Sequence, residues 1–224
     1  MWRVNVSRVL ALECVCNSVG LQKNSIHPKY QLSMAEVKLK KKITLKRKQE
    51  VSFTFDQRLK IKLFWSSETD LDLCLFFKKK DGAEGGVFSN EYRGRKSDLG
   101  ALDQFPYILH LGDNKEPSEG NEEVEQINVA NLSEIDEAYV CIVNYAAAVE
   151  ERDTTYAQEG GRVELNGDTG DYLEVLADSA DHGTVYLVCT IKNADGNYML
   201  KEEGRVMDLG GAFEAVPGFS LICN

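Results

Sequence analysis

The chain has 224 residues, of which 43% are apolar, a content typical of a globular protein with a buried core. Its 36 acidic residues outnumber its 26 Lys and Arg, and the net charge of −10 disfavours nucleic-acid binding, which needs a basic surface. No run of about 18 apolar residues marks a transmembrane helix. Three histidines, His27, His110 and His182, leave little material for histidine-based catalysis or a His-ligated zinc site.

Residues 1–33 show neither a clear hydrophobic period nor helix-capping signals. They lack a convincing signal peptide, because the apolar stretch of residues 9–16 is short and contains Glu13. Met34 begins a segment typical of a natural start. We therefore expect residues 1–33 to be a poorly patterned extension, for example from an overcalled start site, with a removed leader as the alternative. One domain is expected over residues 34–224.

A basic segment, residues 38–48, contains the first predicted strand. Residues 1–50 carry 11 Lys and Arg against 3 acidic residues, whereas residues 51–224 carry 15 against 33. In the basic segment, Leu39, Ile43 and Leu45 partly alternate with lysines, as in an edge strand whose solvent face is protected by charge. Contact with acidic lipid or nucleic acid is the alternative.

Short alternating runs continue to residue 209 and predict an all-β fold, an antiparallel β-sandwich. Leu59, Ile61, Leu63 and Trp65 form one such run, and Trp65 is expected in the core. Asp195-Gly196 predicts a hairpin turn, because this dipeptide accepts positive φ angles at low cost. The other predicted strands cover residues 51–55, 71–75, 107–111, 127–132, 139–145, 162–165, 172–176, 184–191, 198–201 and 206–209, with single helical turns within 132–137 and 146–151.

The six cysteines form no Cys-x-x-Cys pair, and apart from Cys14 and Cys16 they are isolated. Cys74, Cys141 and Cys189 each lie in an apolar run, where a thiol behaves as a small hydrophobic group. This pattern predicts buried free thiols in a reducing compartment.

An acidic stretch, residues 97–137, carries 11 acidic residues and a single base, Lys115. Carboxylates at this density repel one another unless a cation lies among them. Ca²⁺ takes six to eight oxygen ligands and tolerates irregular loops, so it is the expected cation. The sequence therefore predicts a calcium-binding loop in this stretch.

Asp70 and Asp72 form a second pair of acids, at the start of a predicted strand. Their spacing of two places them on one side of the strand, with Leu71, Leu73 and Leu75 directed into the core. Two close carboxylates are costly on a sheet without a cation. Taken alone, the pair also fits a solvated strand end that binds nothing.

These residues resemble the tellurium-resistance TerD domain in their order and spacing. The resemblance rests on Trp65, the segment 70–73, Gly112-Asp113-Asn114 and the acidic run that ends at residues 125–129, and it covers about residues 43–224. It implies a β-sandwich stress-response domain that binds one or two Ca²⁺ ions between calcium-binding loops at one end of the sandwich, with no established catalytic reaction. It also implies a cytoplasmic location, with partners among other stress-response proteins, including at the inner membrane face. The metal ligands that it implies are Asp70, Asp72, Asp113, Asn114, Glu122, Glu123 and Glu125.

The acidic loop departs from the TerD pattern. The usual Gly-rich spacer is replaced by residues 115–119, which include Pro117, and the paired Asp before the closing Glu is missing. The closing Glu is Glu125 in one register and Glu123 in the other. We expect a non-enzymatic calcium-binding scaffold or partner-binding domain. The first alternative is a sandwich that has lost its metal and only binds a partner protein.

His110 leaves a third alternative, a hydrolase that uses the ion as a Lewis acid. No base suited to that chemistry accompanies it in the sequence. We expect His110 instead to be a strand residue that is hydrogen-bonded near the acidic loop.

Overall fold

The computed structural model describes residues 42–89, 98–112, 123–168 and 172–223. The chain divides into two units, Met1–Val37 and Lys38–Asn224, and the described residues belong to the second. They form two sheets, which confirms the predicted all-β sandwich. The strands are β1 Lys42–Leu45, β2 Glu50–Phe53, β3 Leu59–Trp65, β4 Asp72–Lys79, β5 Glu84–Val87, β6 Gly100–Ala101, β7 Ile108–His110, β8 Glu123–Val129, β9 Ile135–Val143, β10 Gly161–Gly167, β11 Tyr172–Ala177, β12 Val185–Ala194 and β13 Asn197–Met207.

Sheet A has the strand order β1-β11-β10-β3-β8-β7-β6, and sheet B has the order β2-β13-β12-β9-β4-β5. The first four strands alternate between the two sheets, whereas the later pairs β4–β5, β10–β11 and β12–β13 each stay within one sheet. β1 runs parallel to β11, whereas the neighbouring pairs β10–β11 and β3–β10 are antiparallel. β1 is an edge strand, as the lysine-rich pattern predicted.

Strand β3 shows why the chain forms a sandwich. Leu59, Ile61, Leu63 and Trp65 are at most 1% exposed, whereas Lys60 between them is exposed. Period-two alternation of this kind buries one face of a sheet against a second sheet. The main hydrophobic core lies between the sheets, and Trp65 belongs to it, as predicted.

Sheet B is buried on both faces along part of its width. Strand β4 is apolar from Leu73 to Phe77 without alternation, because Cys74 and Phe76 belong to a second hydrophobic cluster on the outer face. The C-terminal segment covers this cluster: helix α2 (Leu209–Ala215) contributes Ala212, and the 3-10 helix Phe219–Cys223 contributes Phe219.

Helix α1 (Tyr145–Val149) confirms the single helical turn predicted within residues 146–151. Asn144 caps it, because its Oδ1 accepts a hydrogen bond from the backbone N–H of Ala147. The helical turn predicted within 132–137 is wrong, because strand β9 begins at Ile135. In the described part of the chain, no helix is long and apolar enough to cross a membrane.

Strand β13 spans two segments that were predicted as separate strands, 198–201 and 206–209. Its register with β12 shifts between the pairs Glu202–Cys189 and Arg205–Leu187. This β-bulge places two residues of β13 opposite one of β12 and interrupts the alternating pattern of the sequence. The Asp195-Gly196 turn that joins the two strands has positive φ at both positions, as predicted.

Candidate functional site

The described residues of the predicted metal site lie at one end of the sandwich. Strand β3 ends at Trp65, which pairs with Glu123 at the start of β8. Strand β4 begins at Asp72, just after the loop that follows β3, and β7 ends at His110. The pairing of β3 with β8 therefore brings the Asp70–Asp72 segment and the start of β8 to the same end. We call this end, with Asp70, Asp72, His110 and Glu125, the acidic end.

Asp70 and Asp72 lie as the alternation predicted. Asp70 is exposed just before β4, and Asp72, the first residue of β4, is partly buried. Leu71, Leu73 and Leu75 are fully buried in the core between the sheets. The two carboxylates therefore lie on the opposite side of the strand from the core, within reach of solvent.

Glu125 lies on the inner face of β8, opposite Leu63 of β3, and its side chain is fully buried. Its Oε2 accepts a hydrogen bond from the backbone N–H of Leu73 on β4, with an N–O distance of 2.6 Å. Burying a carboxylate is costly unless hydrogen bonds replace those made to water. The bond to Leu73 supplies part of that compensation and ties sheet A to sheet B.

His110, on strand β7 next to β8, also contacts the backbone of Leu73. Its Nε2 lies 2.9 Å from the carbonyl oxygen of Leu73, and its Nδ1 accepts a hydrogen bond from the backbone N–H of Gly112 at 3.0 Å. A ring nitrogen that accepts a hydrogen bond carries no proton. With Nδ1 as an acceptor, Nε2 is the ring nitrogen that donates to the carbonyl oxygen of Leu73. The prediction that His110 is a hydrogen-bonded strand residue near the loop is confirmed.

Leu73 needs these two side chains because of its place in sheet B. Its neighbour on one side is Ile142 of β9, and on the other side β5 pairs with β4 only as far as Leu75 in the described residues. The N–H and C=O of Leu73 point to that open side, where Glu125 and His110 take the place of a strand. The Nε2 of His110 lies 3.6 Å from Oε2 of Glu125. The three residues thus form one buried polar unit, which we call the Leu73 clamp.

The remaining predicted ligands lie wholly or partly outside the described residues. Asp113, Asn114 and Glu122 lie between residues 112 and 123, and Glu123 is described only in its backbone as the first residue of β8. Across the described ranges, no three His, Cys, Asp or Glu side chains are grouped closely enough to hold a metal ion. Asp70 and Asp72 contribute oxygen donors, and a complete calcium cage would draw its other ligands from the predicted set.

The buried cysteines contribute no reactive group. Cys74, Cys141 and Cys189 are free and fully buried, which confirms the prediction for these three. Burial raises the pKa of each thiol, and for Cys74 the nearby Asp72 and Glu125 raise the pKa further. Since the thiolate is the nucleophilic form, these cysteines are poor nucleophiles.

A cavity of about 490 Å³ lies beside helix α1 and is lined in part by Asp153, His182 and Asp208. His182 Nδ1 lies 2.6 Å from Oδ1 of Asp153, and both side chains are mostly exposed. Sequence reasoning missed this pair, because the two residues are far apart in the chain and no motif links them. The pair lies on a separate set of elements from the Leu73 clamp.

Comparison with known proteins assigns no family. No family model matches the chain, and no curated protein matches it. Among solved structures, the crystal structure of an unknown-function protein, SAV2460, matches with a TM-score of 0.46 and 16% sequence identity, over 70% of this chain and 94% of that chain.

Proposed function

We propose that residues 34–224 form a non-enzymatic, calcium-binding stress-response domain of the tellurium-resistance type, which acts as a calcium-stabilised scaffold or partner-binding module. The observation that carries the proposal is the Leu73 clamp, because it fixes the start of β4, where Asp72 lies, against β8. A rigid frame under a pair of carboxylates lowers the cost of assembling a cation site.

The donor chemistry of the acidic end fits Ca²⁺. Asp70 and Asp72 offer carboxylate oxygens on one side of a strand start, away from the core. Hard cations such as Ca²⁺ prefer oxygen ligands. Asp113, Asn114, Glu122 and Glu123 would complete the set for one or two ions, whereas Oε2 of Glu125 is already bonded to Leu73. We therefore assign Glu125 chiefly to holding the strand that carries Asp72.

Calcium would act by linkage. An ion that binds the folded domain and not the unfolded chain stabilises the fold, by about 2.7 kcal/mol when its free concentration is 100 times the Kd. For a domain of this size, such a gain raises Tm by about 5–10 °C. The ordered acidic end then presents a fixed surface to other stress-response proteins in the cytoplasm. Nucleic acid is not an expected partner, because the domain is acidic.

Thermal unfolding of the full chain, with excess Ca²⁺ and with EGTA, tests the proposal. We expect Ca²⁺ to raise Tm in the wild type and to have little effect in Asp70→Asn, which keeps the shape of the side chain. Asp195→Asn is the matched control. It removes the same charge from the turn between β12 and β13 at the opposite end, and Asn tolerates the positive φ found there. Equal Tm values with and without Ca²⁺ in the wild type contradict the proposal.

The second candidate function is a metal-free sandwich that binds a basic partner protein through the acidic end. The full burial of Glu125 and its bond to a backbone N–H favour it, because this carboxylate has a partner without any ion. On that account, Asp70→Asn and Asp72→Asn leave Tm and its response to Ca²⁺ unchanged.

A further inference from the structure

A cavity of about 590 Å³ opens at the edge of the sandwich where β1 and β11 of sheet A approach β13 of sheet B. Its walls include Leu45 and Leu176, which supply apolar surface, and Tyr186. The hydroxyl of Tyr186 donates a hydrogen bond to the carbonyl oxygen of Leu176 at 3.2 Å. None of the predicted metal ligands lines this cavity.

Glu202 lies at the floor of the cavity. It follows Tyr198 and Leu200 as the next inward-facing residue of β13 and is 4% exposed. A hydrophobic residue at this position would extend the core, so the carboxylate is an exception to the pattern of the strand. Burial raises its pKa, against the opposing effects of the Lys48 N–H and the Arg47 guanidinium. A carboxyl group in such a place calls for hydrogen-bonding partners.

Only one oxygen of this carboxylate has a partner within the described residues. Oε2 accepts a hydrogen bond from the backbone N–H of Lys48 at 2.5 Å, from a turn in which Lys48 has a φ of 63°. Oε1 accepts no hydrogen bond from the described part of the chain. The β-bulge makes room for this oxygen, because a Cβ on Gly204 would lie 2.4 Å from it.

The charges around the cavity leave an excess of acid. Asp178 and Asp181 line it together with Glu202, against Lys46 and Arg47. Arg47 lies 3.6 Å from Asp181 and also acts electrostatically on Glu202, so one positive charge is divided between two carboxylates. The surplus of acidic side chains would therefore attract a cationic ligand into the cavity.

We propose that this cavity binds a primary ammonium group on an aliphatic chain, with Oε1 of Glu202 as acceptor and Leu45 and Leu176 packed against the chain. An ammonium group fits because it is a compact charge that needs no paired acceptor, whereas a guanidinium group favours two oxygens side by side. Ca²⁺ does not fit, because it takes six to eight oxygen ligands. The ligand can be a free alkylamine or a lysine side chain of a partner protein.

Isothermal titration of the full chain with 1,5-diaminopentane and with Nα-acetyl-lysine methylamide tests the proposal and separates the two sources. We expect saturable binding of at least one probe and no binding of 1,5-pentanediol, which has the same chain without the charge. Glu202→Gln should weaken binding about tenfold or more, since a hydrogen bond to a charged group contributes about 1.5–3 kcal/mol. Binding of the diamine alone indicates a free amine, and binding of the lysine derivative indicates a protein lysine.

Glu203→Gln is the matched control. Glu203 is the next residue on β13, and its carboxylate contacts Thr190 and Lys201 instead of the cavity. It should bind the probes as the wild type does. Failure of both amines to bind the wild type, or unchanged affinity in Glu202→Gln, overturns the proposal. If Glu202→Gln does not fold, methyl NMR of the wild type decides: the diamine should shift the Leu176 resonances, and unshifted resonances contradict the proposal.

Discussion

The carboxylate of Glu125 and the backbone N–H of Leu73 form a buried hydrogen bond of 2.6 Å that joins the two sheets of the sandwich. Among the described residues, β5 pairs with β4 only as far as Leu75, so the backbone of Leu73 meets side chains instead of a strand on that side. His110 completes the arrangement at the carbonyl oxygen of Leu73. Side chains from sheet A thus finish a hydrogen-bond ladder in sheet B, next to Asp72.

Truncation of Glu125 should destabilise the domain strongly. Glu125→Ala removes the acceptor of the Leu73 N–H and leaves a cavity in the core, so we expect a loss of about 2–4 kcal/mol in the free energy of unfolding. Urea denaturation followed by circular dichroism measures this loss. Glu134→Ala, at an exposed position, is the control and should change stability by less than about 0.5 kcal/mol. A loss of under 1 kcal/mol in Glu125→Ala would show that the hydrogen bond to Leu73 contributes little to the free energy of unfolding.

His110 should carry its proton on Nε2. The Nδ1 accepts from Gly112, so a long-range ¹H–¹⁵N NMR spectrum at pH 8 should show the Nε2–H tautomer. His110→Phe keeps a ring of similar size but leaves the Leu73 carbonyl unsatisfied, at a cost of about 1–3 kcal/mol in unfolding free energy. An Nδ1–H tautomer in the spectrum would contradict the described clamp.

Gly204 should tolerate no side chain. It has a φ of 55°, and its Cβ would collide with Oε1 of Glu202. We expect Gly204→Ala to lower the unfolding free energy by about 1–3 kcal/mol. Gly82→Ala is a matched control, because Gly82 also has a positive φ but nothing lies within 4 Å of its added Cβ. Equal losses in the two variants would show that the collision with Glu202 adds nothing to the backbone strain.

Glu202 should make stability depend on pH in a defined direction. Burial raises its pKa in the fold, with Glu203 and Asp178 adding to the rise and Arg47 and the Lys48 N–H opposing it. The folded state therefore holds this proton to a higher pH than the unfolded chain. The contribution of the group to stability is present below the unfolded value of about 4.5 and is lost as pH rises through the folded pKa.

The comparison variant is Glu202→Gln, because a glutamine side chain has no group that titrates in this pH range. The stability of the wild type relative to Glu202→Gln should fall as pH rises from about 4 towards neutrality. Urea denaturation at a series of pH values gives this difference. A difference that rises with pH over the same range would reverse the assigned direction.

The pattern of apolar residues predicted the strands where each residue alternates cleanly between core and solvent. Strand β3 was predicted with its observed bounds, because Leu59 and Trp65 close a regular run. Strand β13 was divided in two, because the bulge at Gly204 changes which face each residue occupies. Strand β5 was missed, because Gly85 and Gly86 carry no side chain that could show alternation.

Within the candidate site, the position of Asp70 and Asp72 at the start of β4 was predictable from the sequence. Asp70 and Asp72 could be placed from their spacing alone, since a strand fixes which residues share a side. The role of Glu125 at Leu73 could not be predicted, because the donor is a backbone N–H that becomes available only where β5 ends. The cavity at Glu202 was also invisible in the sequence, because β1, β11 and β13 are distant along the chain.

Isothermal titration of the EDTA-stripped full chain with Ca²⁺, with Mg²⁺ as the control ion, tests the central claim most directly. The account predicts saturable, calcium-selective binding that is lost in Asp72→Asn and kept in Asp195→Asn. Absence of calcium-specific heat, or an unchanged isotherm in Asp72→Asn, would contradict it and leave the acidic end as a surface for a basic partner protein.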